Sequence, residues 1–328
     1  MLDRPRLEAA LRTQGLASPD EEIVLEPLAG GVSCDVFRVA LDSGDYCVKC
    51  ALPKLRVEAD WFASPRRAHV EAQWIDTAAR IGVPAPALVF EDREANCFVM
   101  RFVADAPVWK AELMAGRVDP GFAEALGRVL GRMHAETAGD LAIASRFANA
   151  DLFEDLRIAP FILYCADRHP AHADRLRAIA DLTRQSAGAL IHGDFSPKNI
   201  LVTDEGPVIL DAECATWGDP AFDAAFCLTH LLLKARARPD SATDLVAAAR
   251  RFASGHAAVA GDDPAREART VDLVSALLLA RVDGKSPAEY LNEPARADVR
   301  AAALAMLDAP PASLDAQLAA WTITEETA

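Results

Sequence analysis

The chain has 328 residues, 52% of them hydrophobic and 25% charged, and its formal net charge at pH 7 is −15. A chain of this length and composition can bury a core large enough for two domains, or for one domain with a second lobe. The acidic balance argues against a nucleic-acid partner, because binding phosphates requires a basic surface.

We expect neither a secretory signal nor a membrane span. The N-terminal "MLDRPRLEAALRTQG" is charged and lacks the apolar core of a signal peptide. The longest apolar run, around "CLTHLLL" (227–233), is shorter than the roughly 20 residues that a span needs. Seven cysteines, an odd number without a regular framework, favour a reduced, cytoplasmic protein.

The first third of the chain predicts strands around one main helix. Strand-forming residues cluster within 21–30, 36–44 and 45–53, between glycine and aspartate turns. The helix is expected within 64–82, and two short strands within 83–103. The C-x-x-C spacing of Cys47 and Cys50 falls in a strand-like run, where residues three apart face opposite sides, so we expect no metal or redox site there.

Helices dominate the rest of the chain. Apolar residues recur at helical spacing near 121–136, 170–185, 221–236, 241–260, 264–282, 294–308 and 312–322. We therefore predict an α+β protein with a small β-rich N-lobe, residues 1–103, and a larger, mostly helical C-lobe, residues 104–328.

One polar motif stands between two apolar runs, in "LIHGDFSPKNILV" (190–202). It contains Asp194 and Asn199, and a second aspartate, Asp211, follows the apolar "GPVIL" (206–210). Two carboxylates and a carboxamide are hard oxygen ligands of the kind that Mg²⁺ takes alongside phosphates. In phosphoryl transfer, one loop aspartate accepts the substrate hydroxyl proton while other oxygen ligands hold the metal. The alternative is an Asx-rich turn with a separate structural aspartate.

This motif resembles the catalytic loop of the aminoglycoside phosphotransferase and choline kinase superfamily, relatives of the protein kinases. Their pattern is His-Gly-Asp, four residues, Asn, then a strand and an Asp, and the downstream "WGDPAFDAA" (217–225) fits as well. The resemblance implies a protein-kinase-like bilobal fold that binds ATP and Mg²⁺. It implies that Asp194 is the catalytic base and that Asn199 and Asp211 bind Mg²⁺, with Glu213 as an additional candidate ligand. His192 is expected to brace the loop.

The N-lobe offers the matching nucleotide-binding residues. "LAGGVSCDVFRV" (28–39) resembles the family's phosphate loop, with Gly30, Gly31 and Ser33 near the phosphates, although two glycines between strands also suit a hairpin turn. Lys49 resembles the lysine that contacts the α- and β-phosphates. Its expected partner is Glu71 on the following helix, with Glu58 as the rival.

"FVMRFV" (98–103) resembles the hinge segment whose backbone binds the nucleotide base. The residues implied there are Met100, Arg101 and Val103, and Met100 equally suits an ordinary core position. The overall prediction is an enzyme that transfers the γ-phosphoryl group of ATP to a hydroxyl of a small molecule. A catalytically silent nucleotide-binding or partner-binding module is the alternative, and a slow ATP hydrolase a third possibility.

The identity of the acceptor is the least defined prediction. Residues 48–72 resemble the corresponding stretch of methylthioribose kinases, which favours a sugar-like acceptor, while aminoglycosides and amino alcohols stay open. The expected acceptor-binding residues are Trp217, Arg281, Asp283 and Lys285. A protein substrate is disfavoured because "DAECATWGDP" (211–220) leaves no room for an activation segment. The sequence does not define an oligomeric state.

Overall fold

The computed structural model describes residues 2–28, 33–56 and 62–321. Contacts between Cα atoms divide the chain into two compact units, Met1–Asp105 and Ala106–Ala328. Strands form the body of the first unit, and helices that of the second, so the protein is α+β as the sequence predicts.

The first unit is built on an antiparallel sheet whose strand order is β1-β2-β3-β5-β4. Its elements are α1 (Arg4–Thr13), β1 (Leu25–Pro27), β2 (Cys34–Leu41), β3 (Gly44–Ala51), α2 (Arg67–Arg80), β4 (Leu88–Asp92) and β5 (Cys97–Arg101). Helix α1 is an addition to the single main helix that the sequence predicts. It begins where the Asp3 carboxylate accepts a hydrogen bond from the Arg6 N–H, and it buries Leu7 and Leu11.

The side chains of β3 point alternately to two sides of the sheet, one packed against α1 and the other facing α2. Tyr46, Val48 and Cys50 join the cluster that also contains Leu7 and Leu11 of α1. Because side chains alternate across a strand, Lys49 faces the opposite side, where α2 lies.

Cys50 lies directly opposite Cys97 in the register of β3 and β5, and the two form a disulfide. This pairing departs from the reduced cysteines expected from the sequence. Cys47, the other cysteine of the C-x-x-C spacing, is a buried free thiol. The two cysteines of that spacing therefore have separate environments, as strand geometry requires.

The second unit is mostly helical, with two small antiparallel sheets of two strands each, β6 with β9 and β7 with β8. Its helices are α3 (Trp109–Met114), α4 (Pro120–Thr137), α5 (Leu141–Arg146), α6 (Ala150–Phe153), α7 (Tyr164–Arg168), α8 (Ala173–Gln185), α9 (Pro220–Ala237), α10 (Ala242–Ala260), α11 (Pro264–Asp283), α12 (Glu293–Asp308) and α13 (Leu314–Ala319). Its strands are β6 (Ala189–Ile191), β7 (Ile200–Thr203), β8 (Gly206–Ile209) and β9 (Thr216–Gly218). Short 3₁₀ turns occupy Pro170–His172, Pro197–Asn199 and Pro239–Ser241.

Helices α4 and α10 pack with their backbones in close approach. A Cβ atom added at Gly127 would lie 2.1 Å from the Phe252 carbonyl oxygen, and one at Gly255 would lie 2.2 Å from the Glu124 carbonyl oxygen. Only glycine allows this spacing. Among the described residues, no helix has the length and apolar character to cross a membrane.

A ten-residue π-helix, Glu154–Leu163, connects α6 to α7 and contains Pro160. The sequence analysis does not predict this element. It buries Arg157 and Phe161, and π-helical turns are frequent at functional sites because they redirect side chains.

Candidate functional site

The residues of the predicted catalytic loop lie between β6 and β7. A backbone hydrogen bond of 2.8 Å joins the Leu210 N–H to the Asn199 carbonyl oxygen, extending the β7–β8 pairing by one step. This pairing brings Asn199 next to Asp211, and the Asp211 charge acts on the pKa of Asp194. Asp194, Asn199 and Asp211 therefore converge in the second unit.

A buried carboxylate on α9 fixes the backbone of the loop. Asp223 accepts hydrogen bonds from the N–H groups of His192 (2.6 Å) and Gly193 (2.8 Å). Gly193 has a φ of 75°, and a Cβ atom there would lie 2.6 Å from the Cys214 carbonyl oxygen. The loop thus needs glycine at this position, immediately before Asp194.

The His192 imidazole connects the loop to the end of β8. Its Nδ1 atom accepts the Asp194 N–H at 3.1 Å, so Nε2 carries the proton and donates to the Leu210 carbonyl oxygen at 2.9 Å. Burial lowers the pKa of His192, although Asp223 and Asp194 oppose that shift. The neutral imidazole thus bonds to the backbone at Asp194 and at Leu210, the residue before Asp211. It fixes the positions of the two aspartates relative to each other.

Two cations meet the Asp194 carboxylate. Arg157 Nη2 and Lys198 Nζ each lie 2.9 Å from Asp194 Oδ2. Burial alone would raise the pKa of Asp194, but the charges of Arg157 and Lys198 outweigh it and the pKa is lowered. Asp194 is therefore a carboxylate at neutral pH, as a proton acceptor must be.

The donor set suits a metal that is shared with phosphates. Asn199 Nδ2 donates to the Asp194 carbonyl oxygen at 2.9 Å, so the amide oxygen is the atom that Asn199 can offer to a ligand. Within the described ranges, no group of three or more His, Cys, Asp or Glu side chains is arranged to hold a metal by itself. One carboxylate and one amide oxygen match the way Mg²⁺ binds, through few protein ligands together with water and phosphate oxygens. Glu213 is buried on the same segment.

In the first unit, Lys49 and Glu71 form a buried ion pair, with Lys49 Nζ 2.6 Å from Glu71 Oε2. Glu71 lies on α2 and Lys49 on β3, so the pair links the helix to the sheet. The rival partner, Glu58, lies outside the described residues, as do Gly30 and Gly31 of the predicted phosphate loop.

Ser33, the described part of that loop, is held by an arginine that the sequence analysis did not single out. The Ser33 carbonyl oxygen accepts hydrogen bonds from the Leu52 N–H (2.9 Å) and from Arg67 Nη2. Arg67 is fully buried at the start of α2 and also donates to the carbonyl oxygens of Ala63 and Leu52. Ser33 thus lies immediately before β2, with its carbonyl oxygen held by Arg67 and Leu52.

The predicted hinge segment begins on β5. Met100 is buried opposite Cys47, and Arg101 is exposed with its guanidinium 4.7 Å from the centre of the Tyr46 ring. Val103 is partly buried just beyond the strand.

The predicted acceptor residues do not form one group. Trp217 lies on β9, opposite Leu190 of β6. Asp283 makes a bidentate pair with Arg300 of α12 at 2.8 Å and accepts from His169 Nε2 at 2.9 Å, so part-buried contacts between helical segments occupy its carboxylate.

The remaining two acceptor candidates have different environments, Arg281 in the last turn of α11 and Lys285 just after that helix. Arg281 is buried, and its pKa is affected by the charge of Asp194. Lys285 is exposed, with its ammonium 5.7 Å from the centre of the Tyr164 ring.

The sequence analysis missed Arg157 and the individual role of Asp223. Asp223 belongs to the quoted "WGDPAFDAA", so the motif itself was a signal for it. Arg157 has no local signal, because it reaches Asp194 from a π-helix distant in sequence.

Comparisons with known proteins identify the family and the fold of the chain. The profile of the phosphotransferase enzyme family, APH, matches residues 24–261. The methylthioribose kinase of Pectobacterium atrosepticum is 28% identical over 256 residues, covering 69% of this chain and 64% of that protein. The methylthioribose kinase of Exiguobacterium sibiricum is 27% identical over 252 residues, with the same coverage. The match thus spans slightly less than two thirds of these relatives' length.

Two solved structures share the fold at low sequence identity. An amicoumacin kinase in complex with AMP-PNP and Ca²⁺ superposes with a TM-score of 0.60 at 15% identity, covering 94% of this chain and 93% of that one. A choline kinase from Cryptosporidium parvum gives 0.58 at 12% identity, covering 96% and 99%. The fold is therefore protein-kinase-like. Because the profile match runs from just before β1 to the end of α10, the chain belongs to the phosphotransferase enzyme family.

Proposed function

We propose that this protein transfers the γ-phosphoryl group of ATP to a hydroxyl group of a small molecule. The observation that carries the proposal is the Asp194 carboxylate, buried and kept ionised by Arg157 and Lys198, next to Asn199 and Asp211. A carboxylate in this state can orient an acceptor hydroxyl and take its proton as the new P–O bond forms.

The other polar residues have roles that follow from their chemistry. Lys49, held by Glu71, would orient the ATP phosphates, with Gly30, Gly31 and Ser33 as the phosphate loop. Met100, Arg101 and Val103 would receive the base. Asn199 and Asp211 would hold Mg²⁺, with Glu213 as a further candidate. Bound Mg²⁺ would neutralise the charge that develops on the phosphate oxygens.

The acceptor of the phosphoryl group is proposed to be a sugar-like small molecule. The relatives named as methylthioribose kinases support this class. The acidic net charge disfavours nucleic acid as a partner. We further propose that the protein acts in the cytoplasm, where ATP and Mg²⁺ are supplied.

The direct test is release of ADP from Mg²⁺-ATP in the presence of candidate alcohols, with methylthioribose as the first. The variant Asp194→Asn should abolish transfer while it leaves nucleotide affinity nearly unchanged, because it removes the proton acceptor and keeps the shape. Asp204→Asn provides a matched control, since Asp204 is exposed in the turn between β7 and β8.

The outcomes separate the competing functions. Turnover that depends on Asp194 and on an added alcohol supports the kinase. Binding of Mg²⁺-ATP without turnover of any alcohol would instead favour the non-catalytic module, and ADP release independent of added alcohol would favour a hydrolase. A protein that does not bind Mg²⁺-ATP would contradict the proposal.

A further inference from the structure

Five cationic side chains of the second unit are connected to Asp194, either by direct ion pairs or through shared aromatic rings. We call this group the cation cluster, and it consists of Lys110, Arg157, Lys198, Lys234 and Arg281. Four of these, Arg281, Lys234, Lys198 and Lys110, act together on one residue, His230, whose pKa is lowered well below its usual value by burial and then by their charges. His230 therefore lies within the electrostatic reach of these four cations.

Aromatic rings connect the cation cluster to Asp194 in physical contact. Arg157, which binds Asp194, has its guanidinium 5.7 Å from the centre of the Phe161 ring, and the Arg281 guanidinium lies 5.8 Å from the same ring. Phe226 packs against Phe161 at 5.9 Å and against His230 at 5.1 Å. Arg281 is thus one ring away from the arginine that holds the proposed catalytic base.

The ring of Tyr290 lies close to two further members of the cation cluster, Lys234 and Lys110. Lys234 Nζ lies 5.0 Å and Lys110 Nζ 5.6 Å from the centre of its ring. Lys234 is on α9, one helical turn after His230, and its ammonium donates to the His230 carbonyl oxygen at 3.3 Å. The ring faces of aromatic residues attract cations but do not neutralise them.

Two members of the cation cluster have no carboxylate in direct contact. Arg157 and Lys198 share the Asp194 carboxylate, and Lys110 pairs with Glu289. Lys234 and Arg281 are both buried, and neither has a carboxylate of the described residues within 4.0 Å. Two buried cations without counter-ions are costly in an isolated protein.

Two polar atoms of residues in or next to the cation cluster also lack a hydrogen-bond partner among the described residues. Within the part of the chain that the structure describes, Arg281 Nε and the Tyr290 hydroxyl are buried and make no hydrogen bond. Buried donors of this kind are normally satisfied in a native complex. An anionic ligand would supply both the missing charge and the missing acceptors.

We propose that the acceptor is an anionic alcohol, a hydroxylated small molecule whose carboxylate or phosphate group binds between Arg281 and Lys234 while its hydroxyl meets Asp194. The inference rests on the proposed function, because it concerns the acceptor of the same transfer reaction. It replaces the neutral sugar suggested by the names of the relatives with a charged hydroxylated compound, so methylthioribose, choline and polycationic aminoglycosides are expected to be poor acceptors.

The transfer itself balances without any further reagent. The acceptor hydroxyl oxygen forms a bond to the γ-phosphorus of ATP, the bond from that phosphorus to the β–γ bridging oxygen breaks, and ADP leaves. The hydroxyl proton passes to the Asp194 carboxylate. The anionic group of the acceptor takes no part in bond changes and acts only in binding, so its loss should raise KM more than it lowers kcat.

The test uses pairs of alcohols that differ in one anionic group. Suitable pairs are gluconate and sorbitol, glycerate and glycerol, pantothenate and panthenol, and ribose 5-phosphate and ribose, with methylthioribose, choline and an aminoglycoside added. ADP release is measured with Mg²⁺-ATP. Binding of the same compounds is measured in parallel by the shift of the melting temperature, on protein saturated with Mg²⁺ and AMP-PNP, so that the result does not depend on turnover.

Two substitutions probe the cation cluster, Arg281→Met and Lys234→Met, each removing a cation while keeping an unbranched apolar side chain. Arg281→Lys keeps the charge and should retain part of the binding. Arg168→Met is the matched control, because Arg168 is exposed and also lies over an aromatic ring, that of Tyr164, at 5.7 Å. Mg²⁺-ATP binding confirms that each variant is folded.

The expected result is that anionic members bind and neutral members do not, and that the best anionic acceptor loses about 100-fold in kcat/KM in either Met variant, mainly through KM. The control should match the unchanged protein. The inference is overturned if a neutral or cationic alcohol is the best acceptor, if no anionic member binds, or if the anionic preference survives both substitutions. In those cases Asp194-dependent turnover of another alcohol would leave the proposed function standing, whereas absence of Mg²⁺-ATP binding would remove it.

Discussion

Arg157 Nη2 lies 2.9 Å from Asp194 Oδ2, and Arg157 Nε donates to the carbonyl oxygen of Gly193, the residue before Asp194, at 2.6 Å. One guanidinium thus fixes both the backbone and the carboxylate of the proposed catalytic base. Planar guanidinium groups suit this double role because their donors are held in a fixed geometry. Arg157 acts through Asp194 and is therefore a positioning residue.

We predict that Arg157→Met lowers kcat by about 100-fold and moves the acid limb of the kcat/KM profile to higher pH. The sign follows from the pKa of Asp194, which burial raises and Arg157 and Lys198 lower. Loss of one cation must raise that pKa, so the base becomes protonated at a higher pH. The measurement is the pH dependence of ADP release with the best acceptor.

Arg184→Met controls for the loss of an arginine, since Arg184 makes an ion pair with Glu154 on the outside of the same unit. An acid limb that stays in place in Arg157→Met would show that Arg157 only supports the fold.

The conformation of Gly193 gives a second prediction. Its φ of 75° and the 2.6 Å approach of a Cβ atom to the Cys214 carbonyl oxygen make any side chain there strained. We expect Gly193→Ala to lower the free energy of unfolding by roughly 1–3 kcal/mol and to reduce turnover, because the loop must shift.

Gly188→Ala is the matched control for Gly193→Ala. Gly188 lies just before β6, and an added Cβ atom would have its nearest neighbour at 3.9 Å, which is ordinary contact. Urea unfolding and ADP release of both variants decide the question. Equal effects of the two substitutions would contradict the role given to Gly193.

The buried pair of Lys49 and Glu71 gives a third prediction. Glu71→Gln removes the carboxylate that lies 2.6 Å from Lys49 Nζ, and a buried cation that loses its carboxylate is destabilising. We expect the free energy of unfolding to fall by about 2 kcal/mol and the KM for ATP to rise roughly 10-fold, because the ammonium is no longer oriented.

The control for Glu71→Gln is Glu94→Gln, since Glu94 is 80% exposed in its ion pair with Arg6. Calorimetric titration with Mg²⁺-ATP reports the nucleotide affinity of both. Unchanged nucleotide affinity in Glu71→Gln would separate this pair from the nucleotide and leave it a purely structural contact.

Local signals explain why much of the fold could be predicted from the sequence. Helices α4, α9 and α11 each begin at an aspartate followed by proline, and in each the aspartate side chain accepts a backbone N–H: Asp119 from Gly121, Asp219 from Ala221, and Asp263 from Ala265. The proposed catalytic loop could likewise be identified from the sequence, because its residue types and their spacing form a specific motif.

Contacts between distant segments explain what could not be predicted. Arg157 lies on a π-helix that contains Pro160, and a proline within an apolar run indicates a break rather than a functional helix. Lys234 resembles any lysine near a helix end until the fold buries it beside Tyr290. Asp283 stays a predicted acceptor residue, but its contacts with Arg300 and His169 could not be read from spacing.

The charge of Lys234 gives the last prediction. Burial lowers the pKa of Lys234, and Lys110 and Arg281 lower it further, whereas Cys227 and Glu289 raise it, with a result of about 7. His230 on the same helix and the Tyr290 hydroxyl are the other titratable groups that face it. In the unfolded chain the ammonium stays protonated to about pH 10. Between these values the unfolded state binds more protons, so the free energy of unfolding should rise with pH.

Lys234→Met removes this dependence. We expect the variant to be more stable than the unchanged protein by about 2 kcal/mol at pH 6, and the difference to shrink as the pH approaches 9. Urea unfolding at both pH values measures this difference, with Lys285→Met as the control for loss of an exposed lysine.

A bound anion should have the opposite effect on the unchanged protein, because it favours the ammonium form of Lys234 and raises its pKa. Anion binding at pH 8 should therefore be accompanied by proton uptake, which calorimetry in buffers of different ionisation enthalpy detects. Lack of both effects would mean that Lys234 stays protonated in the folded protein over this pH range, with its charge already compensated.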